Sequence, residues 1–114
     1  MESRAVVRML GALAQPTRLA IFRLLVRRGP SGMNAGAIGG RLAIVPATLS
    51  FHLKELDRAG LVKSRQDGRY VVYAADFRAI NRLVAFLTEN CCGGNPCTAS
   101  GNPAEGRVIR EEET

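Results

Sequence analysis

Apolar residues recur at intervals of three and four along most of the first ninety positions, and the breaks between these runs divide the chain into short helices. Across residues 4–14 the apolar positions are Val6, Val7, Leu10, Leu13 and Ala14, a helical spacing. Gln15-Pro16-Thr17 interrupts it, and Pro16 suits the first turn of a second helix. That helix runs to Arg28, with Leu19, Phe22, Leu25 and Val26 as its apolar face, and Gly29-Pro30-Ser31-Gly32 stops it. Asn34 predicts an N-cap for a short third helix containing Ala35, Ile38 and Leu42. Gly36, Gly39 and Gly40 in that segment lower helix propensity but allow close packing.

Residues 46–59 give the most informative pattern. Leu49, His52, Leu53 and Leu56 fall at i, i+3, i+4 and i+7, which makes one buried stripe. Ala47, Phe51, Lys54 and Arg58 point the opposite way, with Thr48 and Ser50 on the flanks, and Gly60 predicts the end of the helix. Two helices joined by a tight turn, the second apolar behind and short, polar or basic in front, predict a helix-turn-helix. Residues 61–66 then read as a strand, Asp67-Gly68 as a hairpin turn and residues 69–74 as the returning strand, which makes a wing. Asp76 caps a last helix through Glu89, with Phe77, Ile80, Leu83, Val84 and Leu87 on its apolar face. The predicted fold is mainly α with a β-hairpin, a winged helix-turn-helix in the order ααααββα. It occupies residues 1–90; residues 91–114 read as a cysteine-containing, largely flexible tail rich in Gly, Pro, Asn and Glu.

Charge adds a partner to this picture. The chain of 114 residues carries a net +6. Residues 1–90 hold 14 Arg and Lys against 6 Asp and Glu, while residues 91–114 hold 2 against 4. A basic body suits a polyanion such as double-stranded DNA. Thr48, Ser50 and Phe51 are then the expected groove readers, Phe51 against a thymine methyl, and Lys54 and Arg58 the phosphate contacts. Arg65 and Arg69 flank the predicted wing turn with Gln66 at its tip, where an arginine enters a narrow minor groove or pairs with phosphate. His52 lies on the apolar stripe and reads as a satisfied core histidine rather than a ligand. No apolar run reaches the roughly 20 residues of a membrane span, and the N-terminus lacks a signal-peptide pattern, so a cytoplasmic location is expected.

All three cysteines, Cys91, Cys92 and Cys97, sit within seven residues. A bridge between neighbouring cysteines is strained, because adjacent Cα atoms are about 3.8 Å apart, below the usual disulfide range. Reduced thiols that bind a soft metal fit better.

Four stretches together resemble the ArsR/SmtB family of metal- and metalloid-responsive repressors. They are Leu13-Ala14-Gln15-Pro16-Thr17-Arg18-Leu19, Ser50-Phe51-His52-Leu53-Lys54-Glu55-Leu56, Ala59-Gly60-Leu61-Val62, and Asp67-Gly68-Arg69 through Tyr73. The resemblance implies a homodimer joined by the first and last helices, whose apo form binds a two-fold symmetric operator and is weakened by metal. Two departures stand out. Val45 precedes Pro46 where the family often has a capping residue, and residues 35–43 lack the Cys-x-Cys of the best-known arsenic sensors. Three cysteines without a nearby histidine, on an ArsR-like body, point to trivalent arsenic, As(III), or antimony, Sb(III), as inducer, since zinc usually takes four ligands. A thiol redox sensor, a cadmium, lead or zinc site, a small thiol enzyme such as an arsenate reductase, and incidental tail cysteines stay open as alternatives.

Overall fold

In the computed structural model the described residues are 1–94; Cys97 and the expected tail from residue 95 onward lie outside them. The elements run α1 (Ser3–Leu13), α2 (Pro16–Arg28), β1 (Met33–Asn34), α3 (Ala35–Leu42), α4 (Pro46–Arg58), β2 (Val62–Asp67), β3 (Tyr70–Ala75) and α5 (Phe77–Thr88), then a short 3-10 stretch, Cys91–Gly94. Contacts divide the chain into two units, Met1–Leu83 and Val84–Thr114. The first contains the helix-turn-helix and the hairpin, and its fold is mostly helical with an antiparallel sheet, as the winged helix-turn-helix reading requires.

Local chemistry explains most boundaries. The Gln15 side chain accepts a hydrogen bond from the Arg18 amide at 2.7 Å and so caps α2, with Pro16 in its first turn. Asn34 caps α3 in the same way, its Oδ1 accepting from the Ala37 amide at 2.8 Å. At the end of α4, Gly60 has φ +82; its amide donates to the Asp57 carbonyl and that of Leu61 to the Leu56 carbonyl. That pair of bonds is a Schellman motif, so glycine follows the cap residue Ala59. Asp76 caps α5 through the Ala79 amide.

The core of the first unit is built on Ile21, Leu25, Ile38, Leu53, Leu56 and Leu61, all almost wholly buried. The α4 stripe is as expected, with Leu49, His52, Leu53 and Leu56 buried. The α2 face is not. Ile21, Phe22, Leu24 and Leu25 are buried, whereas Leu19 and Val26 are 43% and 38% exposed. Leu19 and Val26 lie about 150° round the helix from Ile21 at 100° per residue. The contacts of α2 with α4 and β3 rotate the buried face toward Ile21 and Leu24.

Two further corrections concern the sheet. It has three strands in the order β1-β3-β2, with Met33 opposite Tyr73 and Asn34 opposite Val72, where only a hairpin was expected. Two residues are too few to show a period of two, so β1 carries no signal of its own. The hairpin turn is also displaced by one residue. Asp67 pairs with Tyr70, which leaves Gly68 and Arg69 as the loop. Gly68 alone of the two has positive φ, at +63, the pattern of a type II′ turn.

Candidate nucleic-acid interface and thiol cluster

Three residues join α3 to α4, and Ala43 among them takes a left-handed conformation at φ 56. The Gly39 carbonyl accepts from the Ile44 amide at 3.0 Å, and a Cβ at Gly39 would stand 3.0 Å from the Ile44 carbonyl and 3.3 Å from the Leu49 side chain. Gly39 therefore sets how closely the turn and α4 approach α3. Val45 gives α4 no side-chain cap. With the stripe packed inward, α4 exposes Ala47, Thr48, Ser50, Phe51, Lys54 and Arg58 together. Phe51 is 56% exposed although its ring centroid lies 5.4 Å from that of His52, with the planes at 63°. Arg58 is not idle: its guanidinium pairs with Glu55 at 2.9 Å.

The wing residues occupy different places from those expected. Arg69 lies at the very tip of the hairpin, while Gln66 lies in β2 and donates to the Gly68 carbonyl at 2.9 Å. Arg65 reaches back from β2 to the body and donates to the Ser31 carbonyl at 2.9 Å. The turn after α2 thus steadies the base of the wing.

Behind the exposed face of α4, Arg18 makes a connection that periodicity does not reveal. Its Nε donates to the Ala12 carbonyl in α1 at 2.8 Å, and its terminal nitrogen lies 3.2 Å from His52 Nδ1 in α4. Arginine is only a donor, so Nδ1 is the acceptor and the imidazole is neutral. Burial lowers the His52 pKa below its usual 6.5; the Arg18 charge lowers it further, and Glu55 opposes the shift. The unfolded chain therefore binds the extra proton more readily, and His52 contributes stability that is complete above about pH 6.5 and declines as pH falls below it. Urea midpoints at pH 7.5 and 5.5 are expected to differ more in the wild type than in His52→Gln. Equal differences would remove His52 as the cause.

The second unit, taken alone, presents thiols. Asn90 and Cys92 both have φ 58, with Gly93 and Gly94 also positive, so the chain coils tightly after α5. Both cysteines are exposed, and Cys91 Sγ lies 3.4 Å from Cys92 Sγ. Among the described residues no three Cys, His, Asp or Glu side chains form a metal-ion cluster. Nor is any single described helix long and apolar enough to cross a membrane.

Residues 13–65 match the family profile described as a helix-turn-helix domain. The uncharacterized HTH-type transcriptional regulator YceK of Bacillus subtilis is 41% identical over 58 residues, 51% of this chain, and the match spans only 57% of its own length. The transcriptional activator HlyU of Vibrio cholerae is 30% identical over 94 residues, 82% of this chain and 83% of its own. The solved structure of HlyU covers 76% of this chain and 97% of its own at 32% identity and TM-score 0.61. The homodimeric winged helix-turn-helix DNA-binding domain Mb0332 of Mycobacterium bovis aligns at TM-score 0.61 and 27% identity over 82% of this chain and 87% of its own. An ArsR-like transcriptional regulator of Rhodococcus sp. RHA1 shares the fold at TM-score 0.71 and 23% identity, over 93% of this chain and 97% of its own. The named relatives are transcriptional regulators, not enzymes. The chain belongs to the ArsR-like family of winged helix-turn-helix transcriptional regulators.

Proposed function

We propose that the protein is a homodimeric repressor that holds a two-fold symmetric operator and releases it when trivalent arsenic or antimony binds Cys91, Cys92 and Cys97. One observation carries the DNA half of this reading: the outward face of α4, whose opposite side is core, displays a largely exposed phenyl ring among small, polar and basic side chains. Thr48, Ser50 and Phe51 enter the major groove, Lys54 and Arg58 meet phosphates, and Arg65, Gln66 and Arg69 bring the wing to the flanking backbone and minor groove. A single α4 covers one half-site, and a second copy supplies the other about 34–36 Å along the duplex. The homodimeric relative Mb0332 supports that assembly, as do the exposed Val7 and Leu10 of α1 and, separately, Val84 and Leu87 of α5.

The Cys91–Cys92 sulfur separation of 3.4 Å supports the thiol half, since one atom with bonds of about 2.3 Å to sulfur spans it. Cys97 would complete a three-thiolate set. Bound there, the metalloid supplies a soft cross-link between three sulfurs. A second reading, a thiol redox sensor, is favoured by the solved structure of reduced HlyU, 28% identical over 79% of this chain and 92% of its own.

The test selects a duplex from a random library, then titrates its complex with arsenite, antimonite, cadmium, zinc and peroxide. Arsenite is expected to release the wild type but not Cys91→Ser, Cys92→Ser or Cys97→Ser. Release of the triple-Ser variant by arsenite at wild-type concentrations would overturn the thiol site, and release by peroxide alone would favour the redox reading.

A further inference from the structure

A polar cleft of about 450 Å³ opens between the turn after α2, the exposed side of α3 and strand β2. Arg28, Arg41 and Arg65 line it from three separate elements, with Ser31, Asn34 and Asp67. Two of the guanidinium groups are fixed by backbone: Arg28 Nε donates to the Gly32 carbonyl at 3.0 Å and Arg65 to the Ser31 carbonyl at 2.9 Å. Each bond uses one of five donors and leaves the rest of the fork available. Among the described residues none of these arginines has an acidic partner within ion-pair distance, the one such pair being Arg58 with Glu55. An adjoining cleft adds Arg27 beside Arg28 and Arg41. Arg28, Arg41 and Arg65 thus share one cleft with a single acidic residue, Asp67, and two of the guanidinium forks are held in place before any ligand arrives.

We propose that this cleft is a phosphoryl-group site in which Arg28, Arg41 and Arg65 hold the oxygens of one phosphate. Guanidinium forks match phosphate geometry with paired donors, and backbone anchoring spares them much of the ordering cost of binding. The phosphate comes either from a DNA backbone lying across α3 and the wing, or from a free phosphate or phosphorylated small molecule. The first source rests on the DNA-binding reading above; the second does not. Either assignment gives Arg65 a partner other than the minor groove.

Arg41→Gln keeps most of the side-chain length and breaks no hydrogen bond, so it is the primary variant; Arg28→Gln is the second. Thermal midpoints confirm that each variant is folded. Binding to the selected duplex is measured between 0.05 and 0.2 M salt, and inorganic phosphate and pyrophosphate are titrated calorimetrically without DNA. For a backbone phosphate, Arg41→Gln lowers the salt slope by about one unit, so the wild type loses about threefold more affinity than the variant across that range. For a free phosphate, wild-type protein binds pyrophosphate, Arg41→Gln does not, and the DNA slope is unchanged. Unchanged slope and unchanged phosphate binding in both variants would overturn the proposal. If the wild type binds no duplex at all, the DNA reading fails by itself, and the phosphate titration alone decides the cleft.

Discussion

Gly32→Ala is expected to destabilise the protein by about 2–5 kcal/mol, which combines left-handed strain with a clash in a packed site. Gly32 has φ +73, and a Cβ there would run into the Tyr73 carbonyl and stand 3.0 Å from Val72 Cγ1. A carbonyl in a paired strand cannot rotate aside as the end of a flexible side chain does. Relief therefore requires β1 to part from β3. It also disturbs the Gly32 carbonyl, which anchors Arg28, and the Gly32 amide, which donates to the Gly29 carbonyl at 3.1 Å. Gly40→Ala is the matched control. Its Cβ would meet nothing within 4 Å, and alanine favours the helix by up to about 1 kcal/mol. Urea unfolding of both variants should place them on opposite sides of the wild type. A Gly32→Ala midpoint equal to that of the wild type would show that the sheet does not depend on this approach.

The largest functional effect is expected from Ser50→Ala, Phe51→Ala and Lys54→Ala combined. At about 1 kcal/mol for each lost base or phosphate contact, the low end of the usual range, affinity for the selected duplex should fall roughly 10²- to 10³-fold. Affinity for unrelated duplexes should fall far less, which narrows the specificity ratio. All three side chains are exposed, so the unfolding midpoint should stay near that of the wild type. Retention of duplex affinity within threefold would remove α4 as the reader. A uniform loss on every sequence would assign these residues to phosphates alone.

Helix α4 was legible in the sequence because its stripe obeys a local rule: Leu49, His52, Leu53 and Leu56 share a face whatever they pack against. Asn34, Gly60 and Asp76 were legible for the same reason, since each acts within a few residues of itself. What escaped depends on distant partners. The buried face of α2 is chosen by β3 and α4, and β1 exists because Gly32 lets Met33 and Asn34 lie along β3. The contacts of Arg18 with His52 and of Arg65 with Ser31 each span 34 positions, beyond any periodic signal. The turn shift at Gly68 arose because Asp-Gly suggests a type I′ loop, whereas the register places Asp67 in the strand and Arg69 at the tip.

The division of α4 into an inward stripe and an outward face has an evolutionary consequence. Residues that hold the fold and residues proposed to choose the binding sequence are different residues on one helix. Substitutions at Thr48, Ser50, Phe51 and Lys54 leave Leu49, Leu53 and Leu56 in place, so target preference can drift without a toll on folding. After a gene duplication, a few such changes would give the two copies separate operators while both kept the same stable scaffold.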